Sequence, residues 1–258
     1  MANIPGTFMH GAQPFSHEGG PVGVLVIHGF TGSPKSVRPW ADHLAQAGFS
    51  VELPRLPGHG TKWEDMSLTR WEDWYAEVDR TFTDLQSRCE TVFAMGLSMG
   101  GSLALRLAEL RPAEVAGLVL VNPAVHSERW DRHLLPFIRH LVKAFPGIAN
   151  DINKPGQDEG GYTKLPLHSA HSLQAGWAEI KADIAKVSAP LLLLHSRVDH
   201  VVEPSNAEWI LANVSSADRT EVWLEDSFHV ATLDHDAPLI FDASVNFLHR
   251  VAPQSSQG

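Results

Sequence analysis

Short runs that are apolar at every position alternate with longer stretches whose apolar residues recur every three or four positions. The runs at 21–27, 115–121 and 190–195 are nearly continuous in Val, Leu and Ile, the pattern of strands buried on both faces, and those at 49–53, 91–95 and 220–224 read as further strands. Between them the spacing predicts helices over 34–47, 70–88, 102–111, 204–213 and 237–251. Ser33-Pro34 looks like an N-cap with proline at the first helical position, and Gly48 closes that helix. Thr69-Arg70-Trp71-Glu72 has a capping-box pattern, and Trp71, Trp74, Val78, Phe82 and Leu85 follow on one helix face. Residues 1–20 read as an irregular arm and 252–258 as a frayed tail.

Strands alternating with helices predict an α/β fold, a mostly parallel central sheet flanked by helices on both faces. No internal repeat or long linker divides the 258 residues, so a single domain is expected. The regularity breaks after Asn122, and a cap insertion is expected at about 123–176. No strand is evident there. One amphipathic segment carries Leu134, Phe137, Ile138, Leu141, Val142 and Phe145, with Arg139, His140 and Lys143 on other faces. A loop rich in Gly and Asp follows at 151–161, and a short helix is expected after Trp177.

Composition narrows the function classes. A hydrophobic fraction of 43% and eight tryptophans fit a packed globule. The one cysteine, Cys89, excludes an intramolecular disulfide and a cysteine metal cluster. A net charge of −10, with no Lys/Arg run, argues against a nucleic-acid partner. There is no signal-peptide pattern, and no apolar segment approaches the ~20 residues needed for a stable membrane insertion. A cytoplasmic protein is expected; the oligomeric state is not legible.

In parallel sheets, sites form at the carboxyl ends of the strands. Gly96-Leu97-Ser98-Met99-Gly100 turns a strand directly into a helix and presents Ser98 on a tight corner. Asp199 lies just past the strand ending at His195, and His229 just past the one ending at Leu224. Ser98 would attack an acyl carbonyl, His229 would take and return the proton, and Asp199 would orient the imidazole. The backbone N–H groups of Met99 and Phe30, the latter in the turn His28-Gly29-Phe30, would hold the oxyanion. An unperturbed His229 would set an activity limb near pH ~6.5. Asp226, Asp234 and Asp236 read as caps of the last helix, and His195 as packed or hydrogen-bonded at its strand end. His126, His133 and His140 recur about two turns apart, too far for one ion, so no metal is expected.

The set His28-Gly29-Phe30-Thr31-Gly32, Gly58-His59-Gly60, Gly96-Leu97-Ser98-Met99-Gly100-Gly101, Asp199-His200-Val201-Val202 and Phe228-His229-Val230-Ala231-Thr232-Leu233-Asp234 resembles the bacterial carboxylesterases and monoacylglycerol lipases of the α/β-hydrolase fold. The resemblance runs from about residue 20 to residue 250. It implies hydrolysis of small carboxylic esters or monoacylglycerols by a triad of Ser98, Asp199 and His229, without a cofactor, under a small cap. In the monoacylglycerol lipases of this group a cap glutamate directly before Lys-Xaa-Pro helps hold the glycerol. Here Thr163 precedes Lys164-Leu165-Pro166, and the nearest acids are Asp158 and Glu159. Leu134, Ile138, Thr163 and Val201 are the expected lining of a substrate pocket for short to medium acyl chains. An acyltransferase or thioesterase could use the same triad, and a non-catalytic ligand-binding hydrolase fold is the reading from another class.

Overall fold

The computed structural model describes residues 8–128 and 133–252. Seven strands form the main sheet: β1 (Phe15–His17), β2 (Val22–Ile27), β3 (Ser50–Leu53), β4 (Thr91–Leu97), β5 (Val115–Val121), β8 (Leu191–Ser196) and β9 (Arg219–Leu224). Their order is β1-β3-β2-β4-β5-β8-β9, and every pairing is parallel except β1 with β3. The helices are α1 (Arg38–Gln46), α2 (Trp63–Met66), α3 (Trp71–Gln86), α4 (Met99–Leu110), α5 (Leu135–Ile138), α6 (Leu167–Asp183), α7 (Ser205–Asn213) and α8 (Ala237–Val251). A small two-stranded sheet pairs β6 (Ala144–Pro146) with β7 (Lys164–Pro166).

Alternate residues of one strand enter opposite cores. Leu25 and Ile27 of β2 pack with Trp74, Phe82, Leu103 and Ile180 of α3, α4 and α6. Val24 and Val26 pack with Trp40 and Leu44 of α1 and Ile240 and Phe247 of α8. That two-sided burial is why the strands read as unbroken apolar runs. Trp40 Nε1 donates to Ser244 Oγ at 3.0 Å, tying α1 to α8 across the second core. The register aligns the strand ends: Ile27 pairs with Gly96, Leu97 with Val121, Val121 with Leu194, and Ser196 with Leu224. The loops that follow therefore open on one edge of the sheet.

Several local expectations are corrected. The arm holds β1, in which Phe15 pairs with Leu53 and lies 4.0 Å under the Arg38 guanidinium; three residues are too few to show a period. The side-chain cap of α3 is made by Asp73, whose carboxylate accepts from Arg70 N–H at 3.0 Å, and not by Thr69 and Glu72. Thr69 Oγ1 instead accepts from Trp74 Nε1 and donates to the carbonyl of Met66, which closes α2. The stretch after Asn122 does contain strands, β6 and β7. Its amphipathic segment forms only one turn of helix, α5, in which Phe137 is 73% exposed, and Leu141 beyond it is 86% exposed. His126, in the loop after β5, bonds Ser205, while His140 stacks edge-on to His168, so these histidines share no helix face. Gly176, the expected end of the insertion, sits inside α6, where a Cβ would fall 2.3 Å from the Trp71 ring. Only a glycine lets α6 lie this close to α3.

Candidate active site

Two glycines make the corner at Ser98. A Cβ on Gly96 would lie 2.1 Å from the Gly100 carbonyl carbon, and one on Gly100 would lie 2.1 Å from the Ile27 carbonyl oxygen. Strand β4 and helix α4 thus cross at backbone contact. Ser98 itself sits at φ 57°, ψ −119°, a conformation that costs a non-glycine residue about 1–3 kcal/mol. Its N–H is anchored on the Val121 carbonyl at 3.0 Å. Its hydroxyl makes no hydrogen bond among the described residues and faces the turn after β2, where a Cβ on Gly29 would be 3.3 Å from Ser98 Cβ.

Met99 opens α4, so its N–H has no intrahelical acceptor and carries the positive end of the helix dipole. The Phe30 N–H meets no backbone acceptor among the described residues. Buried His28 supports that turn. Its Nδ1 lies 3.0 Å from the Gly29 carbonyl and its Nε2 accepts from Leu56 N–H at 3.2 Å, which sets the tautomer as Nδ1–H. The Gly29 carbonyl and the Phe30 N–H belong to one peptide plane, so His28 orients both.

His229 and Asp199 meet directly: Nδ1 is 2.8 Å from Oδ2. The other Asp199 oxygen accepts from the Val201 and Val202 N–H groups, each at 2.8 Å. Burial alone would raise the Asp199 carboxyl, but the charge and hydrogen bonds facing it hold it below the usual carboxylate range. Burial would likewise lower His229; the Asp199, Glu159 and Asp151 carboxylates outweigh it and hold the imidazole above its ordinary value. Such a pair can serve as a proton acceptor that is stabilised once charged.

The buried amide of Asn122, itself at φ 44°, locks the surrounding loops. It donates to the His229 carbonyl at 2.8 Å and accepts from Ser196 N–H at 2.8 Å. Asp234 is not a helix cap. Its carboxylate accepts from the N–H groups of Phe228, Asn153, Lys154 and His235, joining the His229 loop to the segment before β7. Two acids absent from the expected site also reach it. Asp151 accepts from His229 N–H at 3.1 Å. Glu159 accepts from Asn150 N–H at 2.7 Å, and its other oxygen faces Gly32, 3.7 Å from where a Cβ would stand; burial pushes its carboxyl up. Of the expected pocket residues, Val201 adjoins the Asp199 carboxylate. Leu134 and Thr163 are exposed, Ile138 is half-buried, and Thr163 meets Gly147 through its carbonyl.

Three buried histidines stay neutral. Burial lowers His28 and His195 to about 4 and His59 well below its usual value. His195 is packed against Trp223, but neither ring nitrogen has a hydrogen-bond partner. The unfolded chain protonates His28 and His195 near pH ~6.5 and the folded chain does not until about pH 4, so stability falls as pH drops between those values. Each ring contributes a slope of up to about 1.4 kcal/mol per pH unit. His229 has the opposite sign: its raised value adds stability below pH ~6.5 that is lost as pH rises through the folded value. Urea midpoints at pH 7 and pH 5 should show the net acid loss. His195→Leu should reduce the slope by about one proton at little cost at pH 7, because no hydrogen bond is broken; an unchanged slope would exclude His195 as a source.

Residues 22–236 match the family model described as serine aminopeptidase, S33 (Hydrolase_4). The chain belongs to this family. Over 251 residues, 95% of this chain and 97% of the relative, it is 42% identical to the thermostable monoacylglycerol lipase of Bacillus sp. (strain H-257). It is 29% identical to the carboxylesterase of Bacillus subtilis (strain 168), over 93% of this chain and 97% of that one. A solved structure from work on LipS and LipT, two metagenome-derived lipolytic enzymes, superposes with a TM-score of 0.92 at 38% identity, covering 95% of this chain and all of the other. The α/β-hydrolase fold of this Hydrolase_4 member therefore comes with close lipolytic and esterolytic relatives. No helix among its described residues is long and apolar enough to cross a membrane.

Proposed function

We propose that this Hydrolase_4 protein is a serine carboxylic-ester hydrolase for short to medium acyl esters, monoacylglycerols included, with Ser98, His229 and Asp199 as its triad. The observation that carries the reading is the 2.8 Å Asp199–His229 pair on the same sheet edge as the strained serine corner. Ser98 Oγ attacks the ester carbonyl carbon while its proton passes to His229 Nε2. The carbonyl oxygen becomes an oxyanion held by the Phe30 and Met99 N–H groups. Collapse breaks the ester C–O bond, and His229 returns the proton to the departing alkoxide. Water, deprotonated by His229, then attacks the acyl-serine; the acyl–Oγ bond breaks, the acid leaves, and His229 returns the proton to Ser98 Oγ. Loss of one oxyanion donor costs about 100–1,000-fold in such sites.

The 42% identical monoacylglycerol lipase supports a glycerol ester as substrate. Glu159 supplies an acceptor for the hydroxyls of a polyol alcohol near Gly32, in place of an acid at Thr163. The insertion expected at about 123–176, of which 129–132 lie outside the described residues, is read as the cap of this site. A fluorophosphonate probe should label the parent at Ser98, and a substrate profile should favour esters of short to medium acids, with free acid formed in water. Absence of labelling together with absence of ester hydrolysis would overturn the reading.

The base must be neutral to act, so kcat/KM falls as pH drops through the His229 value, which lies above the ordinary ~6.5. Glu159→Gln removes one of the negative charges holding that value up. The acid limb of p-nitrophenyl butyrate hydrolysis should move to lower pH, and KM for monoacylglycerol should rise more than KM for the simple ester. A limb at or below pH 6.5 in the parent would contradict the electrostatics.

A further inference from the structure

His229 stands on a loop outside regular secondary structure, between β9 and α8, yet its ring must meet Asp199 from a second loop and Ser98 from a third. Main-chain contacts do the alignment. The His229 carbonyl is held by Asn122 from the sheet side. Its N–H is held from the opposite side, by a residue that belongs to neither loop. The Asp151 Oδ2 accepts from His229 N–H at 3.1 Å and from His200 N–H at 3.3 Å, while Oδ1 lies 2.7 Å from His200 Nδ1. The Asp151 carbonyl accepts from Val230 N–H at 3.0 Å. One side chain, only 11% exposed, therefore spans the residue after Asp199 and the backbone of His229.

We infer that Asp151 is a positioning residue that registers the acid loop against the base loop and fastens both to the segment between β6 and β7. The inference rests on the triad reading above. Three donors converge on the two oxygens, and both backbone donors share one of them. The carboxylate faces the titratable groups of His200, His229 and Glu159. The segment that carries it is itself tied down. Asn150 and Glu159 exchange hydrogen bonds at 2.7 and 2.9 Å across the base of the loop, Asp158 pairs with Lys35 at 2.7 Å, and Tyr162 N–H donates to the Thr31 carbonyl at 3.0 Å. A shift of this segment is thus transmitted to the main chain of the base.

Asp151→Asn and Asp151→Ala separate two consequences. Asparagine keeps one acceptor oxygen for the two backbone N–H groups but loses the charge. Its acid limb should move to lower pH, with kcat at pH 8.5 within about 3-fold of the parent. Alanine loses the acceptor as well. Its kcat at pH 8.5 should fall about 10–100-fold, with KM nearly unchanged, as expected of a misplaced catalytic group. A folded Asp151→Ala protein with parental kcat would overturn the inference, and so would an acid limb unmoved in Asp151→Asn, which decides the matter if the alanine variant does not fold. Fluorophosphonate labelling of the parent at Ser98 keeps the two levels apart: no labelling and no turnover in the parent sinks the triad reading, whereas normal parental activity with unaffected variants sinks only the role of Asp151.

Discussion

Ser98→Ala should lower kcat/KM for p-nitrophenyl butyrate by about 10^4–10^6-fold, the range seen when a triad nucleophile is removed. Binding and the oxyanion donors remain, so the residue of activity should still exceed the rate in water. KM should change little, because Ser98 Oγ touches the scissile carbonyl and not the remote parts of the substrate. The fold should be untouched: alanine keeps the Cβ that faces Gly29 and the same unfavourable φ of 57°. Ser98→Gly sharpens the test. Glycine adopts this conformation without steric penalty, so it should raise stability by about 1–2 kcal/mol while activity is lost. A stabilised, inactive glycine variant would show that the strain at this corner is retained for catalysis. An alanine variant hydrolysing esters at the parental rate would end the mechanism.

The second large effect is structural. Gly100→Ala should destabilise the protein by more than about 4 kcal/mol, or prevent its recovery in soluble form. The added Cβ would stand 2.1 Å from the Ile27 carbonyl oxygen and 2.9 Å from that of His28, both main-chain atoms of the strand and turn beneath the nucleophile. Neither can yield without moving the sheet. Gly48→Ala is the matched control. Gly48 has φ +91° and nothing within 4 Å of where a Cβ would stand, so its substitution carries only the conformational penalty, about 1 kcal/mol. Urea midpoints of the two variants should differ several-fold in shift. A Gly100→Ala protein within about 1 kcal/mol of the parent would mean that the crossing is looser than its geometry states.

The inner strands of the sheet were legible because β2, β4, β5 and β8 are buried on both faces along nearly their whole length. Ser98, Asp199 and His229 could be named for the same reason: a polar residue just beyond an unbroken apolar run is conspicuous. Asp151 and Glu159 gave no such signal. They lie in a loop without periodicity, and what marks them is a contact with His229 N–H in one case and an approach to Gly32 in the other, at separations of 78 and 127 residues. The strands β6 and β7 are three residues each, below the length at which alternation can be read. The amphipathic segment Leu134–Phe145 shows the converse. Apolar residues at helical spacing suggested packing, yet Phe137 and Leu141 face solvent, because spacing records a possible stripe and not the presence of a surface to cover it.

The two ends of the sheet differ from its middle. On one side β1, three residues bounded by Pro14 and Gly19-Gly20-Pro21, occupies the free edge of β3. On the other, the first half of β9 presents exposed Arg219, Thr220 and Glu221, with Arg250 and Asp218 paired at 2.5 Å beside it. Strands such as Leu191–Ser196 would be strong templates for cross-β growth if they lay at a border. A stub too short to recruit a neighbour and a rim of charge enclose them, so the most aggregation-prone segments of the chain are kept from pairing with those of another molecule.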